Sequence, residues 1–82
     1  MDERDSTLNM TDGIIRQLSY NKEESTLCIT FKDGSVYTYF EISEDIFKGL
    51  VGAKDKDGFF MRKIRNKYKR LFKAFNLEVL RK

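Results

Sequence analysis

Two short runs dense in β-branched and aromatic residues, 25–31 (Ser-Thr-Leu-Cys-Ile-Thr-Phe) and 36–40 (Val-Tyr-Thr-Tyr-Phe), flank Lys32-Asp33-Gly34-Ser35. Such side chains suit the pleated, half-buried surface of a strand. Asp-Gly tolerates the positive φ that a tight turn requires. The arrangement predicts an antiparallel hairpin, which needs a third strand or a helix against one face to be stable in water. Turn length decides which face. A two-residue Asp33-Gly34 turn pairs Phe31 with Val36, Ile29 with Thr38 and Leu27 with Phe40, and puts Tyr37 and Tyr39 opposite the apolar face. A three-residue turn, with Gly34 left-handed, pairs Ile29 with Tyr37 and Leu27 with Tyr39, and the tyrosines join that face. One residue of register inverts every side chain, and both registers are compatible with the sequence.

The rest of the chain supplies the covering elements. Residues 14–20 alternate, with Ile14, Leu18 and Tyr20 to one side and Gln17 and Ser19 to the other, which predicts a third strand before a polar turn at 21–24. Ser43 is placed to cap a helix, Glu44 and Asp45 favour its positive end, and Ile46, Phe47, Leu50 and Val51 form its buried stripe; it ends near Ala53. After a loop at 54–58, with Asp57 as a cap, residues 59–72 predict a second helix. Its inward stripe is Phe60, Ile64, Tyr68, Leu71 and Phe75. Residues 77–80 fit either a short closing strand or more helix. Residues 1–12 lack periodicity and read as a flexible N-terminal arm. The expected fold is therefore α+β: a three-stranded antiparallel meander followed by two helices packed on one face, in one domain over 13–82. A chain of 82 residues has room for no second one.

Charge is segregated along this plan. Residues 1–57 carry seven Lys/Arg and twelve Asp/Glu, whereas 58–82 carry nine Lys/Arg and a single acid, Glu78, so a net charge of +3 conceals a strongly basic end. Such asymmetry steers anionic partners to one side of a molecule. On the predicted second helix Arg62, Arg65, Lys69 and Lys73 form one row, and Lys63, Lys67 and Arg70 a second. Two such rows suit a phosphate backbone, with arginine supplying paired donors and lysine a mobile charge. The plainer reading is a solvated face, against which stands the absence of acids from Gly58 to Leu77. Tyr37 and Tyr39, at i and i+2 on one strand, have the spacing of aromatics that stack bases; a small domain equally needs such rings for its core.

Catalysis has little to work with. The chain has no histidine, so its one cysteine, Cys28, lacks an obvious general base and reads as a half-buried strand residue. No phosphate-binding glycine loop or zinc ligand set is present. Asp55 and Asp57 alternate with Lys54 and Lys56, which disfavours a cation site. A hydrolytic reading would require a cleft with perturbed carboxylates such as Glu41 and Glu44, and nothing in the sequence selects it. We expect no enzyme, no metal and no cofactor. The polar start is not a secretory signal and no apolar run approaches a membrane span, so a cytoplasmic location is expected.

From Ile14 to Tyr68 the sequence resembles the KTSC domain family. Leu27-x-Ile29-x-Phe31 precedes Gly34; Tyr37-x-Tyr39 matches the central motif; Ile42-Ser43 sits where Val-Pro is usual; Ala53 closes the first helix; and Phe59-Phe60-x-x-x-Ile64-Arg65-x-x-Tyr68 matches the aromatic pair, Ile-Arg and Tyr. Ser43, Asp55 and Asp57 depart from the usual Pro, Ser and Gly, and Gly58 comes one residue late, making the 53–58 loop unusually acidic. The family occurs at the C-terminus of some lysyl-tRNA synthetases and as small bacterial and phage proteins. The resemblance thus implies a small α+β fold and association with RNA, but no synthetase activity in so short a chain.

The expectation is a binding module for RNA or single-stranded DNA, contacting phosphates through Arg62, Lys63, Arg65, Lys67, Lys69, Arg70 and Lys73 and stacking through Tyr37 and Tyr39. The alternative is a protein-interaction module or inhibitor that docks the same basic face on an acidic protein partner. A homodimer is allowed if an exposed edge at 14–20 or 36–40 pairs between chains.

Overall fold

The computed structural model describes residues 5–10 and 13–75. In chain order it contains β1 (Asp5–Asn9), β2 (Ile15–Asn21), β3 (Thr26–Phe31), β4 (Ser35–Tyr39), α1 (Glu44–Gly52), α2 (Lys56–Lys63) and β5 (Arg70–Phe75). The five strands form one antiparallel sheet in the order β1-β2-β3-β4-β5. The meander expected to have three strands therefore has four, with a fifth added after the helices. The suggested closing element at 77–80 lies outside the described residues.

The central hairpin takes the three-residue turn. Gly34 sits at φ +91° and its N–H donates to the Phe31 carbonyl at 2.9 Å. The Asp33 carboxylate accepts from the backbone N–H and the hydroxyl of Ser35, at 2.8 and 2.6 Å. These two hydrogen bonds hold its pKa below the usual aspartate value. Leu27 consequently faces Tyr39 and Ile29 faces Tyr37, so both tyrosines share the apolar face.

That face carries the core. Ile15, Leu18, Tyr20, Leu27, Ile29 and Tyr39 from the sheet pack with Ile42 and with Phe47, Leu50, Phe60 and Ile64 from the helical segment. Tyr20 stacks on Phe47 with ring centroids 4.6 Å apart and donates its hydroxyl to the Ile42 carbonyl at 2.7 Å. The α1 boundaries follow the sequence: the Ser43 hydroxyl accepts from the Ile46 N–H and the Ala53 N–H closes on Leu50.

Three expectations are corrected. Residues 5–9, placed in a flexible arm, form β1, which pairs Leu8 with Leu18 and leaves Leu8 packed on the core. With only Leu8 and Met10 as apolar markers, the segment shows no period by itself. Second, α2 is two turns long rather than reaching residue 72. It starts earlier, capped by Asp55 accepting from the Gly58 N–H at 3.0 Å, and ends where the Arg65 N–H, like that of Ile64, turns back to the Phe60 carbonyl. A helix continued through 73 would stack Lys63 on Lys67, Arg65 on Lys69 and Lys69 on Lys73, each a repulsive i, i+4 pair. Stopping instead places Arg62 and Lys63 at the negative end of the short helix and frees residues 70–75 to pair with β4. Third, neither 14–20 nor 36–40 lies at an edge. β1 flanks β2 and β5 flanks β4, so neither segment offers the exposed edge through which a homodimer was allowed.

Candidate nucleic-acid interface

Shortening α2 redistributes the basic residues. Arg62 and Lys63 lie on its last turn, Arg65 and Lys67 on the turn that follows, Lys69 at the approach to β5, and Arg70 and Lys73 on β5 itself. All seven are exposed. The two helical rows expected of them do not exist; the cations form a band that runs from a helix end to a sheet edge. Among the described residues none of the seven forms an ion pair with a carboxylate, whereas Glu44 pairs with Lys22 and Lys48 at 3.6 and 3.8 Å. Lys73 sits at a bulge, between Phe72 opposite Tyr37 and Ala74 opposite Val36.

The two tyrosines part company. Tyr39 is fully buried, edge-on to Phe60 at 5.6 Å, and its hydroxyl accepts from the Arg70 guanidinium at 3.4 Å. A base cannot reach that ring without opening the core, so its expected stacking role is withdrawn. Tyr37 is half-buried. It meets Phe31 and Phe72 edge-on, at 6.1 and 5.4 Å, and the Arg70 guanidinium lies over its ring, 4.8 Å from the centroid. Phe72 is opposite Tyr37 in the ladder and 47% exposed. Of the apolar stripe expected on a long helix, Phe60 and Ile64 are buried, Tyr68 packs at the margin of the core, and Leu71 is 62% exposed on the strand.

Sequence reasoning missed Phe72 because a helical reading gave it no face. A signal was present. In the segment Arg70-Leu71-Phe72-Lys73-Ala74-Phe75, like charges oppose a helix, and a strand sets Phe72 on the same side as Arg70.

The acidic loop has structural employment. Asp55 caps α2, and the Asp57 carboxylate accepts from the Ile14 N–H at 2.9 Å, fastening the start of β2 to the helix. Asp57 is thus a tether rather than the expected cap. A cleft of about 390 Å³ beside it is lined by Asn9, Met10, Gly13 and residues 54–57. Among the described residues no cluster of three or more metal-ligating side chains occurs, and no helix is long and apolar enough to cross a membrane.

Comparison with known proteins supplies the context. The KTSC domain model matches residues 11–68, ending just before β5. Lysine–tRNA ligase from Nostoc punctiforme is 38% identical over 57 residues, 70% of this chain but 10% of that protein; the chain spans about a tenth of the length of this curated relative. The crystal structure of a KTSC domain protein from Yersinia pestis superposes with a TM-score of 0.80, covering 85% of this chain and 99% of that one at 20% identity, a likeness of fold. With a family model covering well over half of its residues, the chain belongs to the KTSC domain family.

Proposed function

We propose that this chain is a non-catalytic nucleic-acid-binding module whose phosphate contacts come from the band Arg62, Lys63, Arg65, Lys67, Lys69, Arg70 and Lys73. The observation that carries the reading is this run of seven exposed cations on consecutive elements, within a stretch, 58–77, that contains no acid. Each phosphate neutralised by such a group releases condensed counterions, which gives affinity without sequence choice. The relative named as a lysine–tRNA ligase acts on an RNA by its name, which lends support from outside the site.

The test is a fluorescence-polarisation titration of short labelled RNA and DNA, single-stranded and duplex, at several salt concentrations. The comparison variant carries Arg62, Lys63, Lys67 and Lys69 changed to Gln, which leaves the Arg70 contacts to Tyr37 and Tyr39 in place. The expected results are micromolar binding, a steep salt slope, and a slope smaller by about one for each phosphate contact removed. Absence of binding to every oligonucleotide at low salt overturns the reading and leaves the band as a docking surface for an acidic protein.

A further inference from the structure

We propose that Arg70 is the fixed anchor of the cationic band: held in place before any ligand arrives, its guanidinium takes one backbone phosphate through two parallel N–H donors, and the other cations follow as mobile charges. The proposal deepens the nucleic-acid reading above and rests on it.

Cations of equal charge are not equal ligands. A long basic side chain that is free in water must be ordered when it binds, and each such ordering weakens the complex. A guanidinium that is already oriented avoids much of that cost, and its planar fork matches two oxygens of a phosphate.

Arg70 is oriented from two sides. It donates to the Tyr39 hydroxyl at 3.4 Å, and Tyr39 is fully buried, edge-on to Phe60 at 5.6 Å. Its guanidinium also lies over the Tyr37 ring, 4.8 Å from the centroid, within reach of a cation–π contact. Tyr37 is itself edge-on to Phe31 at 6.1 Å. Acceptor and ring therefore both belong to the packed sheet, and the ladder sets Arg70 opposite Tyr39.

The same contacts leave the fork usable. A ring meets the face of a guanidinium, whereas the N–H groups point outward in its plane. Arginine has five such donors; the Tyr39 hydroxyl engages one side of the group, and the residue stays exposed. The rest of the band lacks this support. Among the described residues only Arg65 of the other six cations makes a side-chain hydrogen bond, to the Met61 sulfur at 3.3 Å, and a thioether is a weak acceptor.

The experiment uses the full chain and a labelled oligothymidylate in fluorescence polarisation at several salt concentrations, with thermal unfolding to confirm that each variant is folded. Arg70→Lys keeps the charge, so the salt slope should be unchanged, but affinity should fall about fivefold. Arg70→Gln should also lower the slope by about one. Arg62→Lys, at a guanidinium that lacks such contacts, should weaken binding by only about twofold. Tyr39→Phe keeps the ring and deletes the acceptor; it should weaken binding in the wild type and have no further effect in Arg70→Lys. A readout independent of binding is the Arg70 Nε–Hε signal in nuclear magnetic resonance of the free protein, expected to be rigid and slow to exchange with water, unlike that of Arg62. If the wild type binds but Arg70→Lys binds equally well, or Arg62→Lys costs as much, or the Arg70 signal is as mobile as that of Arg62, the anchor is overturned while the nucleic-acid reading stands. If the wild type binds no oligonucleotide, both fall together.

Discussion

Tyr20 shows how much a single side chain carries here. It stacks on Phe47 and satisfies the Ile42 carbonyl, which would otherwise be buried without a donor. Burial raises its hydroxyl pKa above the ordinary tyrosine value of about 10. The folded state therefore holds that proton more tightly than the unfolded chain, and the stabilisation is complete below about pH 10 and lost as pH rises through the folded value. Thermal melts of the wild type should be level from pH 7 to 9 and fall above 10. Tyr20→Phe should cost about 1 kcal/mol at neutral pH and show a shallower alkaline fall. Asp33 has the opposite sign: its lowered pKa means that its contribution to the turn is present above about pH 4 and lost as pH falls through the lowered value. Asp33→Ala should flatten the acid limb of the same melts. At this scale the tyrosine pair was legible as a pair, but the fates of its members were not. Tyr39 belongs to the core and Tyr37 to its margin because Phe60 of α2 meets Tyr39, whereas Tyr37 meets Phe31 and Phe72.

Among elements, the hairpin and α1 could be read directly, since local chemistry fixes both: Asp33-Gly34 for the turn, Ser43 and an amphipathic stripe for the helix. The hairpin register could not, because two turn lengths satisfy the same residues and only the buried face chooses between them. The second helix was over-extended because apolar spacing of three and four persists through Leu71 by coincidence, while like-charge repulsion and the need to pair β4 act against it. Two contacts hold α2 where it is. Phe60→Ala removes the ring that meets Phe31 and Tyr39 and should cost about 3–5 kcal/mol in chemical denaturation. Asp57→Ala releases the Ile14 amide at a cost of about 1 kcal/mol, visible as faster hydrogen exchange at that amide.

For the whole molecule, the imbalance of charge was legible from counting alone, but its shape was not. A helix would have displayed the cations as parallel rows; the structure strings them from a helix end through a turn to the last strand. β1 escaped notice for a related reason, since its five residues acquire meaning only against β2. The position of β5 at the end of the sheet has a consequence of its own. Among the described strands β5 stands last in the sheet, a place where another copy can add on, and here Lys69, Arg70 and Lys73 repel any approaching chain that carries the same charges. A bound polyanion cancels that repulsion. Occupancy and self-association are then coupled, so light scattering at low salt should rise as polyanion approaches charge equivalence with the protein and subside when either component is in excess.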